Sequence, residues 1–384
     1  MKINIVRPIL PRFQNIKSEF DRCLKSGQVT NNGKNVQKFE KNLKKYLNTK
    51  YEPVVFCNGQ MAFFSLIQAW KHKLKLNNKN KIYAIVPSFT WSGTINSLVL
   101  NNIIPIFCDV DQNLLLDLKK IENRFNKLKK IRKNIKFIIP VSNYGNIIDL
   151  SNLKKFCSKN KIIPIMDSAA AFGSKFREKY SNNYGLDEIF SFHATKIMTS
   201  MEGGCAVSND LQITNYLKYL RDFGQFEKKI GNIKLPGLNS KMQEISAIVG
   251  NYNLKNFNSN LKNRLKIIKN YNNFFQIFEK KNIFSLMKVA PNVKCSYLYY
   301  PIIIKKNIKN FKTHLKKNNI NFRKYYSCVH TLEFYKNEAK SLNLGLEFTN
   351  KIKDKIIALP IFSDMSEKEM RYIFKKISQF YKEH

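Results

Sequence analysis

Short apolar runs alternate with longer stretches of mixed polarity along the first two-thirds of the chain. The runs at 53–57, 83–86, 104–108, 137–141, 162–166, 189–192 and 206–208 are rich in Ile, Val and Phe, and predict buried strands. Between them, stretches such as 61–71 and 92–100 place apolar residues at helical spacing. This alternation predicts an α/β fold with a largely parallel sheet between helices. Several predicted strands end in polar or glycine-bearing turns: CNGQ, VPSFTW, CDVD, PVSNYG and MDSAAAFG. In open α/β sheets ligands bind beyond the carboxyl ends of the strands, so these turns are expected to converge on one site.

A long helical pattern over 242–276 then leads into a second, smaller α/β unit, with a strand within 296–304 and helices at 309–318 and 367–380. The expected division is a large domain over 1–250, opening with a polar, loop-like arm over 1–35, and a small C-terminal domain over 251–384. No internal repeat is evident.

Composition changes this picture little. The net charge is +40, from 67 Lys and Arg against 27 Asp and Glu. The lysines are spread along the whole chain, arginine is the minority, and Asn and Ile are also abundant. A nucleic-acid site usually concentrates arginine, so no nucleic-acid partner is expected; the field instead favours small anionic substrates. No apolar run approaches the roughly 18 residues of a membrane span, and MKINIVRPILPRFQ has no apolar leader segment. The seven cysteines form no CxxC pair, which predicts reduced thiols in a cytoplasmic protein with no metal site.

Candidate chemistry sits in the turns. Asp167 follows the run IIPIM, and Lys196 follows the next run, IFSFH. An isolated aspartate there would serve as a helix cap, and an isolated lysine as solvated surface. Together, on neighbouring strands, they suit pyridoxal phosphate: the amine bonds to the aldehyde carbon and the carboxylate holds a proton on the pyridine nitrogen. CNGQM runs from strand through glycine into a helix, so the N–H groups of Gly59, Gln60 and Met61 are expected to bind the phosphate. Ser191 offers a hydroxyl to the same phosphate. Trp91 follows a strand, where its ring can stack on the pyridine or simply pack. His193 can pack or touch substrate, and packing is the favoured reading.

With these residues in place, the chain resembles the DegT/DnrJ/StrS-type nucleotide-sugar aminotransferases, pyridoxal-phosphate enzymes of the aspartate-aminotransferase fold (fold type I). The similarity runs nearly end to end, through GQVTNNGKNVQKFE, CNGQMAFFSL, VPSFTWSGTINSLV, PIFCDVD, PVSNYGN, MDSAAAFGS, FSFHATK, EGGCAVSND, LRDFG, GLNSKMQEISA and LPIFSDMSEKE. It implies that Lys196 carries the cofactor, Asp167 partners the ring nitrogen, Trp91 stacks, and Gly59, Gln60, Met61 and Ser191 cradle the phosphate. It further implies that Asn239 reaches the cofactor phosphate of a neighbouring copy, hence a homodimer with shared sites. Thr30, Asn31, Tyr144, His330 and Lys241 fall at positions resembling the family's substrate-facing ones. The implied reaction moves an amino group from L-glutamate to a keto sugar, nucleotide-linked and of the 3- or 4-keto-6-deoxy type, for surface polysaccharide or amino-sugar biosynthesis. The alternative is a protein of the same fold that dehydrates a sugar or regulates. Three departures stand out. Lys241 replaces a frequent Arg, and Gln60 a common Thr. Ala170 stands where many relatives use Gln or His to touch the cofactor's ring hydroxyl, so a water or another side chain must take that contact.

Overall fold

The computed structural model describes residues 1–76, 80–226, 231–336 and 342–383. Its main sheet has seven strands: β1 (Val54–Phe56), β2 (Ile82–Pro87), β3 (Ile103–Cys108), β4 (Ile135–Ile138), β5 (Ile163–Asp167), β7 (Asp187–Ser191) and β8 (Gly204–Val207). The order across the sheet is β1-β8-β7-β5-β4-β2-β3. Only β8 runs against its neighbours β1 and β7; the remaining pairs are parallel. Every residue of β2 is buried, as a strand with helices on both faces requires.

A second sheet, antiparallel, is built from β9 (Phe284–Leu286), β11 (Tyr300–Ile304) and β12 (Ile356–Leu359) in the order β12-β11-β9. A short pair, β6 (Lys175–Phe176) with β10 (Val293–Lys294), ties the two regions together. The helices used below are α1 (Phe13–Lys25), α2 (Lys34–Leu47), α3 (Gly59–Lys73), α4 (Ser92–Val99), α5 (Leu118–Arg124), α6 (Leu150–Asn160), α7 (Leu211–Arg221) and α8 (Glu244–Lys280). Side-chain caps start α3, α6 and α7: Asn58, Asp149 and Asp210 each accept first-turn N–H groups.

The 37-residue α8 joins both regions. Its first half buries Ala247, Leu254 and Phe257 against the main-sheet core; its second half buries Ile267, Ile268, Tyr271 and Phe275 beside the small sheet. Within it, the buried Arg264 donates to the carbonyls of Tyr297, Leu298 and Ile361, locking the helix to the loops around β11.

The expected loop-like arm is corrected by the structure. FQNIKSEFDRCLK forms α1, whose apolar stripe of Ile16, Phe20 and Cys23 is thin, with Cys23 alone buried. So narrow a stripe is easily read as polar loop. The first residues do not follow the large sheet either: Ile3 N–H donates to Asn319 O at 2.9 Å, and Ile3 and Ile5 enter the core around the small sheet. Among the described residues no helix is long and apolar enough to cross a membrane, and all seven cysteines are free thiols, buried except for the half-buried Cys57.

One buried ion pair fixes α2 and α7 to the sheet. Arg221 Nη1 lies 2.5 Å from Glu40 Oε1 and donates to Val55 O, while Val55 N–H donates to the same Glu40 oxygen. Their side chains are 5% and 4% exposed. Removing one partner strands the other charge, so Glu40→Ala is expected to lower the unfolding free energy by about 3–5 kcal/mol. Urea unfolding checks this, and adding Arg221→Met should recover part of the loss. A cost under about 1 kcal/mol would mean water reaches the pair.

Candidate active site

The parallel pairing of β5 with β7 brings their carboxyl ends to one edge, with Asp167 opposite Ile189. Asp167 ends β5, and the chain leaving β7 turns through His193 to Lys196, whose N–H donates to His193 O. On the far side, β1 leads into α3 at the same edge, where the helix start lies against the first residue of β8. Gly59 and Gly204 make that approach possible. A Cβ on Gly204 would lie 2.4 Å from Gly59 Cα, and one on Gly59 would lie 2.9 Å from Ser191 Cβ. The helix start is thereby pressed onto Ser191, an approach that any side chain at either glycine would block.

These elements enclose a cavity of about 480 Å³, a size typical of small-molecule sites. Lys196 and Asp167 both face it, with Gly59, Gln60, Trp91, Ala170 and Ser191. Asp167 is buried; its Oδ2 accepts from Thr94 Oγ1 at 2.6 Å and its Oδ1 from Ala169 N–H at 3.1 Å. Burial raises its pKa, opposed by those two bonds and by the charge of Lys196. Burial likewise lowers Lys196 to about 8, against the pull of Asp167. A buried carboxylate thus stands ready to meet a protonated ring nitrogen, and an amine near neutrality to act as nucleophile and base. Trp91, 59% exposed at the cavity wall, offers an open ring face.

Other candidate residues stand outside the lining of this cavity. Met61 N–H donates to Asn58 Oδ1 at 2.9 Å, the helix cap, so Gly59 and Gln60 remain as first-turn donors for an anion. Tyr144 is fully buried, its hydroxyl donating to Tyr325 O, and does not line the cavity. The His330 ring bonds Ser88 Oγ and Asn350 Oδ1, which gives it a structural setting. Lys241 pairs with Asp222 at 2.6 Å and covers the Phe223 ring. Thr30, Asn31 and Asn239 also lie outside the lining, and Asn31 and Asn239 are exposed. Asn239 sits on a loop whose Ser240 O accepts Cys57 N–H at 2.8 Å, just before the turn that opens α3.

Further residues line the cavity. His193, expected to pack, lines the wall with Nε2 3.4 Å from Glu202. Tyr299, Arg323, Tyr325 and Tyr326 close it from the C-terminal side. Arg323 donates to Tyr325 Oη at 3.1 Å, and the rings of Tyr299 and Tyr325 stack at 4.7 Å. The doublet in NFRKYYSCVH was the available signal, overshadowed by the histidine that follows it.

A family model, the DegT/DnrJ/EryC1/StrS aminotransferase family, matches residues 13–378. The dTDP-4-amino-4,6-dideoxy-D-glucose transaminase of Shigella dysenteriae is 28% identical over 385 residues, 98% of either chain. Among solved structures, Helicobacter pylori PseC, an aminotransferase involved in the biosynthesis of pseudoaminic acid, superposes with a TM-score of 0.87 at 22% identity, over 100% of both chains. NtdA from Bacillus subtilis with bound cofactor PMP gives 0.83 at 21% identity, covering 96% of this chain and 82% of that one.

Proposed function

The chain belongs to the DegT/DnrJ/EryC1/StrS aminotransferase family, and from that premise we propose that it moves the amino group of L-glutamate to a nucleotide-linked 4-keto-6-deoxy sugar. Enzymes of this family depend on pyridoxal phosphate, and the cavity's residues suit that group: a buried carboxylate, an amine of lowered pKa, and a glycine cradle at a helix start. The observation that carries the reading is that Asp167 and Lys196 face one cavity from adjacent parallel strands. Position 4 is favoured because the Shigella relative is named for a 4-amino-4,6-dideoxy sugar.

When bound, the cofactor supplies an electrophilic carbon and an electron-withdrawing ring. Asp167 holds a proton at the ring nitrogen, keeping that ring electron-poor. Gly59 and Gln60 N–H groups, with Ser191 Oγ, anchor the phosphate. Lys196 takes a proton from the α-carbon of the donor and later returns one to the sugar carbon. Its position on one side of the cavity makes that delivery one-faced. Trp91 covers the ring and sheds water from it. Glutamate and the sugar nucleotide are both anions, which the net charge of +40 draws in.

Two copies of the chain pair as a homodimer in which Asn239 of each reaches its partner's phosphate cradle. Support comes from exposed apolar side chains on the same loop: Phe223 at 46%, Ile233 at 61% and Leu238 at 44%. On this reading the enzyme works in the cytoplasm, and its product enters surface polysaccharide or other amino sugars.

The test incubates cofactor-loaded protein with ¹⁵N-glutamate and dTDP-, GDP- or UDP-linked 4-keto-6-deoxy hexoses. Label should appear in one of the sugars by mass spectrometry, with matching release of 2-oxoglutarate. Loss of water from a sugar without gain of nitrogen would overturn the reading, as would no label in any of the three.

A further inference from the structure

Ala170 raises a question that the cavity answers. In pyridoxal phosphate the ring nitrogen and the aldehyde carbon lie opposite each other across the ring. The phosphate arm and the ring hydroxyl then flank the aldehyde on its two sides. Asp167 and Lys196 define the first axis, and Gly59, Gln60 and Ser191 define the phosphate flank. The hydroxyl therefore faces the other flank, where Ala170 has no polar atom to offer.

Three phenols face the cavity: Tyr299, Tyr325 and Tyr326. The hydroxyl of Tyr325 receives Arg323, and that of Tyr299 is engaged with Thr195 and Tyr325. Tyr326 is placed differently. It is 7% exposed and belongs to the same packed cluster as Ala170, its ring 5.3 Å from that of Tyr144 and 5.9 Å from that of Phe89. The N–H of Tyr144 faces its phenol oxygen, and among the described residues nothing accepts its proton. The titratable groups acting on it are Asp167, Tyr299 and Tyr325, which with burial hold its proton on. A buried phenol whose proton has no protein acceptor is a donor awaiting a ligand.

We propose that the Tyr326 hydroxyl donates a hydrogen bond to the ring hydroxyl oxygen of the bound cofactor, the contact that Ala170 cannot make. The inference rests on the cavity as a cofactor site and is independent of the sugar, so it is read on cofactor-loaded protein before any substrate is added. A donor at that oxygen stabilises its anionic form and keeps the oxygen acidic.

The test follows the visible absorption of the loaded protein against pH in wild type, Y326F and Y326F/A170Q. Y326F should move the titration midpoint upward by about one pH unit, the equivalent of one hydrogen bond to a charged oxygen. Y326F/A170Q should bring it back toward wild type, because glutamine restores a donor. A Y326F midpoint equal to that of wild type overturns the proposal and leaves a water in the role. A shift that A170Q does not reverse also overturns it, since the loss is then one of packing. Should Y326F fail to fold, A170Q alone decides: a second donor lowers the midpoint, and an unchanged midpoint overturns the proposal.

Discussion

Lys196→Ala is expected to lower the turnover of amino transfer by about 10⁴-fold, the upper range for loss of a positioned proton carrier. No other amine lines the cavity among the described residues, so no neighbour can substitute. The measurement is single-turnover transfer of ¹⁵N from glutamate, with cofactor binding followed separately. A variant within about tenfold of wild type would remove Lys196 from the mechanism. The same amine leaves a mark on stability. Its ordinary pKa of 10.5 falls to about 8 because burial penalises the charged form, while Asp167 partly opposes this. Below pH 8 the amine is charged in the folded and unfolded protein alike, and folding bears the full cost of burying that charge. Between pH 8 and 10.5 the folded protein is already neutral, so the cost is progressively lost as the unfolded amine also deprotonates. Wild-type apoprotein should therefore gain stability over pH 8–10.5 relative to K196M, which has no such charge. Parallel urea midpoints for the two across that window would refute the lowered pKa.

The site's centre was legible because it depends on chain order within a parallel sheet. Residues that follow adjacent buried strands must emerge at one edge, so Asp167, Ser191 and Lys196 could be grouped from the spacing of apolar runs alone. Gly59 was legible for a related reason: a glycine between strand and helix marks a close backbone approach, and here the approach is to Ser191 and Gly204. β2 and β3 are legible as nearly unbroken apolar runs, since burial on both faces leaves no polar positions. Less legible was what depends on contacts distant in sequence, and on two local details. Tyr299, Arg323, Tyr325 and Tyr326 reach the cavity only because α8 and the small sheet fold back over it, a placement no local pattern encodes. Met61 was expected among the phosphate donors, but Asn58 caps its N–H; a cap and an anion compete for the same groups. Tyr144 lies in a polar turn yet points into the core, because its positive φ of 56° turns the side chain away from the path of the loop.

Asp167→Asn is expected to slow turnover by about 10³-fold while leaving cofactor affinity within about tenfold of wild type, within the range seen when a proton is lost from a catalytic position. Asparagine keeps the shape and can still accept from Ala169 N–H, which Asp167 does at 3.1 Å. It cannot hold a positive charge on the ring nitrogen. Burial already raises the carboxyl pKa, so the charge survives through Thr94, Ala169 and Lys196, and a cationic ring nitrogen would reinforce it. The substitution also removes the carboxylate that opposes the desolvation of Lys196, so the amine should fall further below about 8. An amine that is neutral more of the time binds an aldehyde readily, which is why affinity and turnover are expected to separate. Thr94→Val provides the control. It removes the bond to Asp167 Oδ2 but leaves the charge, and should cost far less turnover than D167N. If D167N turns over within about threefold of wild type, the ring nitrogen needs no carboxylate here. Asp167 would then serve only to close the strand end through Ser142 N–H, which donates to its carbonyl.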